Sequence, residues 1–306
     1  MTTSLGLRHV GRTIPAWLAV GCCLAWWAAA GAYVLQAEHV LGLSAEAMGS
    51  LPLVQVRQAA LHPVGETAAA AEQTSETLTY GPPDRLRIDA AGPEGRWVYL
   101  VEQGRAALFR DGEMVHSSTD RRFLYAELLL ERTRFGLADR LRSMGVDLSV
   151  SSLGIHEGRP CYVLGALFPD PSRSQLWVDK ETFLPYRLLL PPPPGAGPLA
   201  GSLEFRYGSW QPEASFQYPR RIDVFENGTA VREIRARSLD TAPAVAPSLF
   251  SIAAEMARSG AFRPAGLPPT PGGAIPPGTP GARSAGPEAE GAPGQGTGAP
   301  ASPNPL

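Results

Sequence analysis

QLWVDKETFLPYRLLL, residues 175–190, decides how the rest of the chain is read. Leu176 and Val178 point to one face and Gln175, Trp177 and Asp179 to the other, the two-residue period of a strand. Leu184 to Leu190 reads as a second strand. Between them lies the polar run Asp179, Lys180, Glu181, Thr182, and an Asp in that place bonds its own backbone two residues on, so the chain reverses as a β-hairpin. Trp177, on the face opposite Leu176 and Val178, is expected to be buried, which requires cover on both sides of this strand.

Outward from this hairpin the chain reads as a meander. From Gly81, turn signals at Gly81–Pro83, Gly92–Gly95, Gln103–Gly104 and Asp111–Gly112 punctuate short apolar runs at about ten-residue spacing. Leu86, Ile88 and Ala90 share a face; Trp97, Tyr99 and Val101 share one, while Val98 and Leu100 supply the other. Upstream, Ala37 to Met48 reads as a short helix stopped by Gly49, and Leu53 to Leu61 as the first strand. Ala68 to Tyr80 suits a helix by its alanines and a strand by its threonines, with the strand favoured in its second half. Arg121 to Met144 interrupts the meander. There Phe123, Leu124, Leu128, Leu130, Phe135, Leu137 and Leu141 interleave with charged residues as one or two amphipathic helices, broken near Gly136 and ended by Gly145.

Strands resume at Leu148, and a turn from Gly154 to Pro160 leads into the apolar strand that starts at Cys161. After the central hairpin, Pro191 to Pro198 is a loop, because proline gives no N–H to a sheet. Leu203, Phe205 and Tyr207 alternate with polar residues. Phe216 to Phe225 and Ala230 to Leu239 flank Asn227-Gly228, the strongest short hairpin signal in the chain. Pro247 to Met256 is expected to close the domain as a short helix.

The two ends of the 306-residue chain are of another character. Arg8 and Arg12 precede an apolar run from Ile14 to Leu35 that holds the small triplet Ala30, Gly31, Ala32, the pattern of an export signal. About 22 apolar residues at ~1.5 Å rise each also cross a ~30 Å hydrocarbon layer, so a cleaved signal peptide and a retained membrane anchor both fit residues 1–37. Beyond Arg263 the chain is almost all Pro, Gly, Ala, Ser and Thr, and it cannot offset the entropy of ordering. The expected organisation is therefore 1–37 export segment, 38–260 folded domain and 261–306 disordered tail.

Several function classes are excluded. With a net charge of −2 and 18% charged residues the chain lacks the basic surface of a nucleic-acid binder. Of its three cysteines, Cys22 and Cys23 fall in the export segment, which leaves Cys161 alone, a small buried hydrophobe with no disulfide partner. His39, His62, His116 and His156 are not spaced as metal ligands. His156 reads as a solvated turn residue. There is no nucleophile elbow, phosphate-cradling glycine loop or zinc-protease helix, so neither catalysis, metal nor cofactor is expected.

A sheet apolar on both faces with amphipathic inserts has a further reading. Its concave side, lined by Leu86, Ile88, Trp97, Tyr99, Val101, Leu176, Val178, Leu203, Phe205 and Tyr207, would hold an apolar ligand under a lid of Phe123, Leu124, Leu128 and Phe135. Burial of an acyl chain gains about 0.8 kcal/mol per CH₂.

The hairpin that ends one strand in Trp177-Val178-Asp179 and opens the next with Leu184-Pro185 resembles that of the LolA-like proteins, and YPRRIDVFENG, residues 218–228, is similar to the late strand pair of that family. With the initial helix, the helical interruption and the closing Pro247-Ser248-Leu249-Phe250, the resemblance covers most of Glu38 to Met256. It implies an α+β fold in which an incomplete, strongly curved antiparallel β-barrel, a half-barrel, carries a helical lid that shields acyl chains. It also implies a periplasmic carrier or chaperone for acyl chains of lipids or lipoproteins. The alternative is a membrane-anchored envelope sensor, held by residues 14–35, whose Pro-rich tail reaches a protein partner. One departure is that no arginine stands before Pro82 or Pro83, where the family's lipoprotein chaperone has one that helps to lock its lid.

Overall fold

The computed structural model describes residues 34–63, 71–167, 170–195 and 200–261. Most of the apolar export run and all but the first residue of the tail lie outside the described residues. Among those described, no helix is long and apolar enough to cross a membrane.

Among the described residues a single antiparallel sheet of 13 strands organises the domain. Its first half is the expected meander: β1 (Val54–Pro63), β2 (Ala71–Gly81), β3 (Arg85–Gly92), β4 (Gly95–Glu102), β5 (Arg105–Arg110) and β6 (Glu113–His116). The second half is β7 (Ser151–His156), β8 (Arg159–Leu164), β9 (Gln175–Asp179), β10 (Pro185–Leu190), β11 (Leu203–Glu213), β12 (Phe216–Glu226) and β13 (Thr229–Asp240). The halves are joined by the pairing of β1 with β13, which runs from Gln55 opposite Asp240 to Leu61 opposite Glu233. β6 and β7 are the two ends of the strand order and do not pair, so the sheet remains an open, incomplete barrel.

The turns follow the local chemistry. At Asn227-Gly228 both residues have positive φ, 50° and 79°, and Asp111-Gly112 repeats this with 49° and 89°; such two-residue turns match the twist of the strands they join. In the central hairpin Asp179 Oδ1 accepts hydrogen bonds from the Glu181 and Thr182 amides at 3.0 and 2.8 Å and from the Thr182 hydroxyl at 2.9 Å. This side chain closes the reversal as expected.

Four helices accompany the sheet among the described residues: α1 (Ala37–Met48), α2 (Leu124–Leu130), α3 (Arg134–Ser143) and α4 (Ile252–Ala261). A 3₁₀ turn, Arg121–Phe123, leads into α2 and another, Pro247–Phe250, precedes α4. The break in the insert falls at 131–133, not at Gly136. The physical reason is Thr133, whose hydroxyl accepts the Gly136 amide at 3.0 Å and caps the start of α3. Gly154 likewise lies inside β7 rather than in a turn: the reversal falls at Glu157-Gly158, whose φ values are 52° and 76°, and a Cβ at 154 would stand 2.9 Å from the Trp177 ring.

The sheet is covered on both faces. The concave face packs with α1 and α2 into one large core. On the convex face Val98, Leu100, Ala107 and Phe109 meet Ile252 of α4. Arg87 ties that helix down through Glu255 at 2.8 Å, while also pairing with Asp89. Trp177, 2% exposed, packs with Cys161, Val163 and Ala166 on the convex side. His156 does not sit free in solvent as the turn reading had it: it is half-buried, edge-on to Trp177 at 5.8 Å and to Tyr186 at 5.6 Å, because β7 continues through it.

Candidate functional site

The concave face is built from inward positions of nearly every strand, and most of it is filled by the protein itself. All seven residues of α2, Leu124 to Leu130, are buried. A helix buried all round is part of a core, so this helix is inserted into the half-barrel rather than laid across its mouth. Leu86, Ile88, Tyr99, Val101, Leu176, Val178, Phe205 and Tyr207, expected to line an open cavity, are thus packed into the main core with α2. Tyr125 tilts against Phe205 with ring centroids 5.9 Å apart, and the Tyr207 hydroxyl donates to the Tyr125 carbonyl at 3.5 Å.

Polar groups fix α2 in this place. Glu127, on α2, accepts a short hydrogen bond from the Tyr99 hydroxyl of β4 and one of 2.6 Å from Arg140 of α3. Burial raises the Glu127 carboxyl above its ordinary range despite the opposing pull of Arg140. Arg132, just beyond α2, donates to the carbonyls of Leu129 at 2.9 Å, Met48 at 3.1 Å and Gln217 at 3.2 Å, which ties the insert to α1 and β12. Its burial lowers the guanidinium pKa to about 10.

An open cavity of about 510 Å³ remains at one end of the concave face. Its walls are the β2 to β4 ends, with Thr74, Ala90 and Trp97, and the β11 to β13 ends, with Leu203, Val224, Val231 and Arg232. Phe123 closes it from the insert, stacked on Tyr99 with ring centroids 4.6 Å apart. Of the expected lining residues, Trp97 and Leu203 face this space, as does Phe123 of the expected lid. Leu124 and Leu128 are buried with α2, whereas Phe135 is 68% exposed at the start of α3 and closes nothing. Its position in the first turn after the Thr133 cap points it away from the sheet.

The polar side of the cavity was not legible in the sequence. Arg121 donates to the carbonyls of Leu190, Pro191 and Gly201 at 2.9, 2.9 and 3.0 Å and holds the loop after β10 against the cavity wall. Arg122 lies over the rings of Trp97 and Phe123 at 5.6 and 5.8 Å and pairs with Asp120 at 2.7 Å. Burial opposes ionisation of Asp120, but the Arg122 hydrogen bonds hold its carboxyl below the usual range. Deeper in, Arg232 of β13 pairs with Glu76 of β2, which also accepts from Gln58 at 2.7 Å. Inward-pointing Glu76 and Arg232 look like ordinary alternating strand charges until the pairing of β1 with β13 brings them together.

The arrangement offers an apolar slot with a polar, internally paired rim. Its size falls in the range of small-molecule pockets, about 300–1,000 Å³. Among the described residues no group of three or more His, Cys, Asp or Glu side chains is placed to hold a metal ion. Burial pushes the Cys161 thiol up to about 12, which keeps it protonated and unreactive at neutral pH.

No protein-family model matches the sequence, and no curated protein matches it. Solved structures do. A LolA superfamily protein from Nitrosomonas europaea is 14% identical with a TM-score of 0.50, over 71% of this chain and 98% of that one. A putative outer membrane lipoprotein-sorting protein domain from Vibrio parahaemolyticus is 8% identical with a TM-score of 0.46, over 72% and 99%. The fold of this chain is LolA-like.

Proposed function

We propose that the protein binds an acyl chain of a lipid or lipoprotein in the cavity beneath Phe123, and acts as a carrier or chaperone in the periplasm rather than as an enzyme. The observation that carries this reading is the cavity of about 510 Å³ at one end of the concave face, roofed by an aromatic of the helical insert and rimmed by arginines. The space takes an apolar tail against Trp97, Leu203, Val224 and Val231. The paired charges of the rim suit the polar end of an amphiphile. Longer or multiple chains require α2 to withdraw from the concave face, and its hold there consists of the Glu127 and Arg132 contacts.

Native mass spectrometry with lipid extraction, on protein taken from membranes, tests this together with uptake of a fluorescent fatty acid. Co-purifying lipid is expected, and Val231→Trp, which fills the cavity, is expected to abolish uptake while the melting temperature stays near that of the parent. Protein that is empty and takes up no fatty acid overturns the proposal. So does a Val231→Trp variant that binds like the parent.

A further inference from the structure

Among the described residues three arginines line the cavity, and they differ in what holds them. Arg232 is paired with Glu76. Arg122 is paired with Asp120, which accepts from its Nε at 3.1 Å and its Nη2 at 2.7 Å. Arg121 has only backbone carbonyls: Gly201 accepts from its Nη1, and Leu190 and Pro191 accept from its Nη2. Among the described residues no carboxylate stands within ion-pair distance of Arg121, and its Nε–H has no protein partner. Carbonyls from two separate stretches of chain hold this guanidinium in one place. They do not neutralise it.

The carboxylates of the cavity leave that charge uncompensated. Glu76 is buried against Arg232, whereas Glu94 and Glu226 are exposed, where water and salt screen them. Arg121 is half-buried. Burial disfavours its charge and Glu226 favours it from a distance, and a guanidinium stays protonated in a protein. A positive charge fixed beside apolar walls favours an anionic oxygen, because hydrogen bonds between charged partners are the strong ones. Little ordering cost remains when the donor is already held. Arg121 and Phe123 are two residues apart on one 3₁₀ turn, about 4 Å of rise. An anion at Arg121 thus leaves the attached chain beneath Phe123, against Trp97 and Leu203.

We infer that the cavity selects its amphiphile by the head, and that Arg121 binds an anionic oxygen group there, a carboxylate or a phosphate. This rests on the reading of the cavity as an acyl-chain site and names the class of ligand that site takes. A neutral head on the same chain leaves the Arg121 charge without a partner and binds more weakly. A cationic group on the same head is accommodated, since Glu94 and Glu226 border the same space.

The test measures displacement of an uncharged, polarity-sensitive alkyl dye from the delipidated full chain in amphipol, with Val231→Trp, whose cavity is filled, as the background. Laurate, dodecylphosphocholine and dodecanol carry the same chain under a carboxylate, a phosphodiester and a neutral head, and are compared at mildly alkaline pH, where laurate is ionised. Laurate and dodecylphosphocholine are expected to displace the dye at concentrations about tenfold or more below that of dodecanol, the scale of one hydrogen bond to a charged group. Arg121→Gln is expected to bring both close to dodecanol, and Arg121→Lys, which keeps the charge, to restore part of the gap. Equal displacement by all three ligands on the parent overturns the inference while the acyl-chain reading stands, and this comparison decides even where a variant fails to fold. No displacement by any of the three overturns both. Inorganic phosphate, the free source of the same chemistry, is expected to displace nothing; displacement by phosphate alone makes this a site for a free anion and overturns the assignment to an amphiphile.

Discussion

Trp177 shows how much one side chain carries in a sheet covered on both faces. It is buried among Cys161, Val163 and Ala166, its indole N–H donates to Gln175 at 2.9 Å, and Gly154 on β7 leaves room for its ring. Trp177→Ala is expected to cost roughly 3 to 5 kcal/mol, a large share of the usual 5 to 15 kcal/mol or so, read as a lowered urea midpoint at unchanged slope. A parent-like midpoint would remove the indole from the core. His156 is a smaller case. Its edge contacts to Trp177 and Tyr186 are of a kind worth about 0.5 to 1.5 kcal/mol, so His156→Ala is expected to melt slightly below the parent, measurably less than Trp177→Ala. The burial of Trp177 was legible from strand alternation alone. The half-burial of His156 was not, because its partners Trp177 and Tyr186 lie on other strands.

At the scale of elements, α2 is the decisive piece. Its seven residues are buried, and its one carboxylate, Glu127, is shared between Tyr99 and Arg140. Burial raises the Glu127 pKa in the folded protein above the ordinary carboxyl value of about 4.5. The folded state therefore holds this proton more tightly than the unfolded chain. The stability that proton binding adds is complete below about pH 4.5 and is lost as pH rises through the raised folded value. Relative to Glu127→Gln, the parent is expected to gain melting temperature as pH falls from neutrality towards that range. A constant difference between the two proteins across the range would contradict this. The sequence located the insert, with its apolar period and its stop at Gly145. It did not disclose that α2 enters the half-barrel while α3 stays outside, since Leu128 and Phe135 are equally apolar. What separates them is the Thr133 cap, which restarts the helix in a new direction.

The whole molecule depends on one long-range pairing. β1 and β13 are the first and last strands in sequence and neighbours in the sheet. A chain that ends after Glu226 lacks β13 and leaves β1 and β12 with unpaired edges. It is expected to lose cooperative unfolding by circular dichroism in urea, and a sharp transition in that variant would show that the two meanders fold apart. The sequence by itself determined the antiparallel class, most of the strands, the hairpin turns and the apolar faces, because these rest on periods of two residues and on local turn chemistry at Asp179 and Asn227. The LolA-like arrangement was legible from the order of those elements. Only the tertiary structure decided that most of the concave face is already filled, that the remaining space lies under Phe123 beside Trp97 and Leu203, and that Arg121, Arg122, Glu76 and Arg232 border it. Those residues come from strands and turns far apart in the chain. Their meeting is set by sheet curvature and by the closing of β1 on β13, for which no local pattern of residues exists.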